Sequence, residues 1–138
     1  MTMKVYIDGG SRGNPGPAGV GFYFPDLARI AEYLGTQTNN FAEYSALVLA
    51  LKFAVAQRVD TLKVYSDSEL VVKQTQGTYK VRNENIRPLY ESAIRWIALI
   101  PHFSVEHVRR EFNVDADGLA NDAMDAKGNR VEWEKIRS

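Results

Sequence analysis

Apolar and polar positions change period several times along the chain, and each change marks an element. Residues 3–7 (Met-Lys-Val-Tyr-Ile) alternate and are rich in β-formers, which predicts a strand ending at Asp8. The stretch from Gly9 to Pro17 is dense turn chemistry. Strand character resumes from Gly19 to Phe24, Pro25-Asp26 marks a hairpin turn, and Ala28 to Gly35 follows as a third strand. The period then lengthens. From Phe41 to Val55 apolar residues fill nearly every turn with few charges, the pattern of a long, largely buried helix. Asn40-x-x-Glu43 at its start has the spacing of a capping box. Thr61 to Ser66 reads as a short strand ending at Asp67, and Ser68 to Gln76 as a helix closed by Gly77. Asn83 to Ile100 is a further helical stretch with Pro88 near its beginning. Phe103 to Val108 is a fifth strand and Asn113 to Met124 a last short helix. The tail from Ala126 is polar apart from Val131, Trp133 and Ile136, and its pattern predicts no element.

The order βββ-α-β-α-α-β-α places an antiparallel meander first and helical crossovers after it. Strand one must therefore pair with the meander and with later parallel strands. The expected fold is α/β, a mixed five-stranded sheet flanked by helices. At 138 residues the chain fits one domain, expected over residues 1–125 with a tail at 126–138.

Composition narrows the function classes. No apolar run approaches the roughly 18 residues of a membrane span; the longest, Ala46 to Leu51, lies inside the long helix. The first ten residues lack an apolar signal region followed by small residues, so a cytoplasmic protein is expected. With no Cys there is no disulfide framework, zinc knuckle or thiol nucleophile. Seventeen basic residues balance seventeen acidic ones, whereas proteins that grip nucleic acid usually carry a positive excess. The balance hides an asymmetry. Between Lys73 and Arg95 five basic residues face two acidic ones, and residues 104–138 hold six basic to eight acidic.

Four acids carry the candidate chemistry. Asp8 ends strand one, and Asp67 ends the strand expected beside it in parallel. Open α/β sheets build their sites at the carboxyl ends of strands, so these two are expected to be neighbours. Glu43 lies in the first turn of the long helix and Asp117 in the first turns of the last one. Singly, each acid has an ordinary use: a capping partner, a favourable charge at a helix start, or the organiser of a turn. Together they are harder to dismiss, because clustered carboxylates repel and persist where cations bind. A carboxylate site suits Mg²⁺, and two such ions about 4 Å apart could drive an in-line phosphoryl displacement.

The segments that carry the acids resemble type 1 ribonuclease H. The resemblance runs from Lys4 to about Asn121. It rests on Tyr6-Ile-Asp8-Gly-Gly-Ser-Arg-Gly-Asn14-Pro-Gly-Pro-Ala-Gly, Thr38-Asn-Asn-Phe-Ala-Glu43-Tyr, Tyr65-Ser-Asp67-Ser-Glu69-Leu-Val and His107-Val-Arg-Arg110-Glu-Phe-Asn113-Val-Asp-Ala-Asp117-Gly-Leu-Ala-Asn121. It implies that Asp8, Glu43, Asp67 and Asp117 hold two Mg²⁺ ions, with Mn²⁺ as substitute. The implied reaction is hydrolysis of the RNA strand of an RNA–DNA hybrid to 3′-hydroxyl and 5′-phosphate ends. Asn14, Asn39 and Asn40 match positions that read RNA 2′-hydroxyls, since amides donate and accept together. Thr38 and Asn83 match positions that hold a DNA-strand phosphate. Gly9 and Gly10 match a turn where the backbone comes close to substrate, and Ser68, Glu69 and Asn113 match residues beside the RNA.

Two departures stand out. Many members carry a His on the loop before the last helix; this loop has none, and Arg110 is the candidate substitute in catalysis. Its alternative is a surface ion pair with Glu111 or Asp115. The Lys-rich, Trp-containing protrusion of some relatives is reduced here to Gln76-Gly-Thr-Tyr-Lys80-Val-Arg82, so a weaker grip on hybrid by a monomer is expected. A catalytically inert binding module on the same fold is the competing reading. A phosphate-binding-loop enzyme is not, because the Gly-rich turn lacks the Gly-Lys-Ser/Thr ending.

Overall fold

The computed structural model describes residues 1–134. Six strands form one sheet: β1 (Thr2–Ser11), β2 (Gly16–Phe24), β3 (Ala28–Gln37), β4 (Thr61–Ser66), β5 (His102–His107) and β6 (Arg130–Trp133). Four helices accompany them: α1 (Asn39–Ala56), α2 (Glu69–Thr75), α3 (Arg87–Ile97) and α4 (Val114–Ala126). The strand order is β5-β4-β1-β2-β3-β6. β1 is antiparallel to β2 and parallel to β4, β4 is parallel to β5, and β2 and β3 complete the meander. The expected mixed sheet is therefore present, with one correction to its size.

That correction is β6, which makes the sheet six-stranded rather than five-stranded. It pairs antiparallel with β3, Ala28 opposite Trp133 and Ala31 opposite Arg130. Only four residues long, it lies in the stretch for which hydropathy predicts no element. Its Trp133 ring sits 5.5 Å from that of Phe53 on α1, which anchors the strand over the sheet edge. Ile136, the other apolar residue of the tail, lies outside the described residues.

Burial explains the helices. α1 buries residues around most of its circumference, including Ala42, Tyr44, Leu47, Val48 and Leu51, because it is sandwiched between the sheet and α3. α4 covers the opposite face over β1, β2 and β3. Its seat is made of glycine. A Cβ at Gly21 of β2 would lie 2.3 Å from the Ala116 carbonyl oxygen, and one at Gly19 would lie 2.7 Å from that of Ala120. Only a strand without side chains there lets the helix backbone rest on it. Among the described residues, no helix is long and apolar enough to cross a membrane.

Candidate active site

The β1–β4 register explains how Asp8 and Asp67 meet across 59 positions of sequence. Ile7 pairs with Ser66, so the two acids stand side by side one step further on, Asp67 just past the end of β4 and Asp8 still within β1, which runs on against β2 to Ser11 rather than ending at Asp8. The β1–β4 pairing stops there, and the alternation that buries Ile7 and Ser66 turns the following acids to the other face.

The other two acids arrive on helices seated against the neighbouring glycines. On one face, the first turn of α1 presses onto Gly9, whose hypothetical Cβ would lie 2.1 Å from the Ala42 carbonyl oxygen. Glu43 is the next residue. On the other face, Gly21, the partner of Asp8 on β2, receives Ala116, and Asp117 follows. The close backbone approach expected of Gly9 is thus used by α1 rather than by a substrate. Gly10 stands against the Asn39 side chain, where a Cβ would meet Asn39 Oδ1 at 3.5 Å, an ordinary contact.

Crowding leaves its mark on ionisation. Burial, the neighbouring Asp67 charge and a hydrogen-bonding approach by Asp117 together push the Asp8 carboxyl up to about 8, against a lowering contribution from the Gly9 N–H. That N–H donates to Asp8 Oδ1 at 2.9 Å. Burial also raises Glu43, and Asp67 adds to the effect. Hydrogen bonds from Ser68 and Asn39 and the charge of Arg110 act the other way. As the side chains lie, no three carboxylate or imidazole groups among the described residues converge to hold an ion. The acids meet in pairs instead, with a proton on Asp8 relieving the repulsion at neutral pH. A donor set made only of carboxylates, one held protonated by its neighbours, fits a hard divalent cation whose charge would take that proton's place.

The remaining candidates divide into those near the acids and those used elsewhere. Arg110 is 86% exposed, and its Nε lies 4.0 Å from Asp67 Oδ2, an acid only 12% exposed. The surface alternatives do not form: Glu111 faces Arg109 and Asp115 faces Arg29. Asn14 Oδ1 accepts from the Asn39 backbone N–H at 3.1 Å, and Asn39 Nδ2 donates to Glu43 Oε1 at 3.1 Å. Ser68 Oγ donates to Glu43 Oε2 at 2.6 Å. Asn40 is half-buried in the first turn of α1.

The helix caps differ from the spacing-based expectation. The N-cap of α1 is Thr38, whose Oγ1 accepts from Phe41 N–H, so Asn40 does not head a capping box and Glu43 is free to face the acids. Ser68 caps α2 by accepting from Val71 N–H, which leaves Glu69 exposed, with its Oε1 3.5 Å from the Tyr79 hydroxyl. Asn83 is exposed and closes a turn before α3, its Oδ1 accepting from Asn85 N–H. Asn113 is 1% exposed and donates from Nδ2 to the Ile7 carbonyl oxygen at 2.8 Å. It ties the start of α4 to the end of β1, a structural role in place of the expected substrate contact. His107 sits at the end of β5 with Nε2 3.3 Å from the Asp67 carbonyl oxygen. The linkage of Asn14, Asn39, Glu43 and Ser68 went unread in the sequence, since nothing in the spacing of 14, 39 and 68 signals it.

Comparison with known proteins places the fold. The reverse transcriptase-like family matches residues 27–123. A bifunctional protein of Mycobacterium tuberculosis is 43% identical over 132 residues, 91% of this chain and 36% of that protein. Ribonuclease HI of Halobacterium salinarum is 38% identical over 128 residues, 89% of this chain and 64% of that protein. The chain therefore spans about a third of the first relative's length and under two thirds of the second's. The crystal structure of the Halobacterium salinarum RNase H1 superposes with a TM-score of 0.87 at 37% identity, covering 91% of this chain and 99% of that one. LC11-RNase H1, solved in complex with RNA/DNA hybrid, gives 0.85 at 37% identity, covering 91% and 98%. Fold and kinship agree, and the chain belongs to the type 1 ribonuclease H family.

Proposed function

We propose that the chain is an endoribonuclease that hydrolyses the RNA strand of RNA–DNA hybrids, leaving 5′-phosphate and 3′-hydroxyl ends. The observation that carries this reading is the meeting of Asp8 and Asp67 where the β1–β4 pairing ends, with Glu43 and Asp117 delivered from opposite faces of the sheet. Its kinship with a relative solved on RNA/DNA hybrid supports the substrate class.

Asp8, Glu43, Asp67 and Asp117 would hold the divalent ions, two Mg²⁺ or Mn²⁺ per site. When bound, such ions supply Lewis-acid stabilisation of charge on the reacting phosphate oxygens. The chain's own residues do the rest. Asn14, Asn39 and Asn40 lie together at the start of α1, where amides can donate to and accept from 2′-hydroxyls. Thr38 and Asn83 offer polar side chains to the DNA strand. Arg110, exposed and next to Asp67, supplies a mobile cation to the leaving product. The chain acts as a monomer, and its catalytic domain extends past the expected boundary at 125, because α4 runs to Ala126 and β6 completes the same sheet.

The test is a gel comparing hybrid, duplex RNA and duplex DNA, incubated with Mg²⁺ or Mn²⁺ and with neither. Cleavage of the RNA strand of the hybrid is expected, and only with metal. Hybrid retained on the protein but left uncut would instead establish a binding module.

A further inference from the structure

Each oxygen of Glu43 has its own donor, and the two donors come from different elements. Asn39 Nδ2, one turn back on α1, holds Oε1 at 3.1 Å, while Ser68 Oγ, at the start of α2, holds Oε2 at 2.6 Å. Both donors are themselves fixed. Asn39 Oδ1 accepts from Ser11 N–H at the end of β1, and its backbone N–H is bound by Asn14. Ser68 Oγ accepts from Val71 N–H, and Ser68 N–H donates to Ser66 Oγ on β4. A hydroxyl has one proton to give, and that of Ser68 is committed to Glu43. With Ser68 only 8% exposed, an RNA strand has little of it to touch.

From this arrangement we infer that Asn39 and Ser68 are positioning residues for Glu43, and that the turn carrying Asn14 and Asn39 shares one hydrogen-bonded unit with the carboxylate. The inference rests on the metal-binding reading of the site. It changes what the two residues do there. Ser68 acts on the substrate through Glu43 alone, and Asn39 does so in addition to any contact with RNA. A carboxylate gripped at both oxygens cannot rotate freely, so its lone pairs are aimed before an ion arrives. Removal of either donor leaves one oxygen to swing, and partners of this kind are typically worth about 10- to 100-fold in metal affinity. A change at Asn14, which touches no acid, would be transmitted through Asn39 to the same carboxylate.

The experiment measures Mn²⁺ binding to the full chain without nucleic acid, by calorimetry or by the electron-spin signal of free Mn²⁺. Wild type, Ser68→Ala, Ser68→Thr and Asn39→Ala are compared, alongside hybrid affinity measured with no divalent ion. Weaker Mn²⁺ binding by about 10-fold in both Ala variants is expected, with Ser68→Thr near wild type and metal-free hybrid affinity little changed for Ser68→Ala. Unchanged Mn²⁺ binding with lowered hybrid affinity would overturn the inference and make Ser68 a substrate contact. Loss of the α2 cap in Ser68→Ala lowers melting temperature without deciding the question, so crystal structures of both Ala variants give a second readout. A Glu43 carboxylate displaced from its wild-type position is expected alongside the weakened Mn²⁺ binding, and one held in place in both Ala variants would also overturn the inference. If wild type itself bound no Mn²⁺, the metal-site reading would fail, and those structures would still decide the positioning role.

Discussion

Asp8 of β1 lies opposite Gly21 on β2, the glycine that seats Ala116 of α4, so Asp117 is delivered beside it and helps to raise the Asp8 carboxyl. Burial raises that carboxyl most, with Asp67 next and Asp117 after it, up to about 8. Ionising Asp8 in this setting costs stability, and a bound cation would offset that cost.

The pH dependence follows with a definite sign. The folded chain holds the Asp8 proton up to about pH 8, whereas an unfolded Asp releases it near 3.8. This group's contribution to stability is therefore full below that lower value and is lost as pH rises through the folded one. In chelator, the melting temperature is expected to fall between pH 5 and pH 9, and Asp8→Asn to flatten that fall. Mg²⁺ should raise the melting temperature more at pH 8.5 than at pH 5, because it binds the deprotonated acids. A metal-free melting temperature identical in wild type and Asp8→Asn at every pH would contradict the ionisation assigned here.

Asp8→Asn should also nearly abolish cleavage while the fold survives. The amide replaces the carboxyl almost isosterically but removes the negative charge that would hold a divalent cation. Losses of roughly 100- to 1000-fold or more are the scale for removing an electrostatic group at a reacting centre. Near-wild-type turnover by this variant, measured on labelled hybrid, would refute the site assignment.

Arg110→Ala should reduce turnover less severely, by about 10-fold, with little change in melting temperature, since its pairing with Asp67 is long and the side chain exposed. Because a single Nε at 4.0 Å makes the contact, Arg110→Lys is expected to restore part of the rate. Single-turnover and steady-state rates together locate the effect: loss confined to steady state marks product release. No change in either would take Arg110 out of the mechanism.

Gly21→Ala tests the seat of α4. The added methyl would lie 2.3 Å from a main-chain oxygen, so the helix must lift or the strand bend. Overpacking of this kind costs about 1–3 kcal/mol, occasionally more. Activity should fall further than stability alone accounts for, because Asp117 rides on the displaced turn. Denaturant melts and cleavage rates on the same sample check this; a variant as stable and as active as wild type would show that the contact yields.

The acids stood out in the sequence because each lies near a change of period, although only Asp67 directly follows an element's end: Asp8 is three residues inside β1, and Glu43 and Asp117 lie one turn into their helices. Their mutual placement was legible too, through the parallel pairing that the crossover order requires. β6 was not. Four residues of alternating character are too few to signal a strand, and the partner that makes Arg130–Trp133 one lies a hundred residues earlier on β3. Asn113 shows a different limit: an amide beside the acids looks like a substrate reader until burial reveals it bonded to Ile7. Capping failed for a related reason. Asn40 stands three residues before Glu43, as a capping box requires, but the helix begins earlier: Thr38 accepts from Phe41 N–H, and Glu43 is held by Asn39 and Ser68 instead.

The glycine seats have a consequence for tolerance to change. The two helix-borne acids are spaced from Asp8 by main chain resting on main chain, at Gly9 on one side of the sheet and Gly21 on the other. Spacing fixed in this way does not depend on the volume of any side chain. The hydrophobic interior can therefore be extensively rewritten, by drift or by design, with the reacting geometry left in register as long as those two positions stay bare.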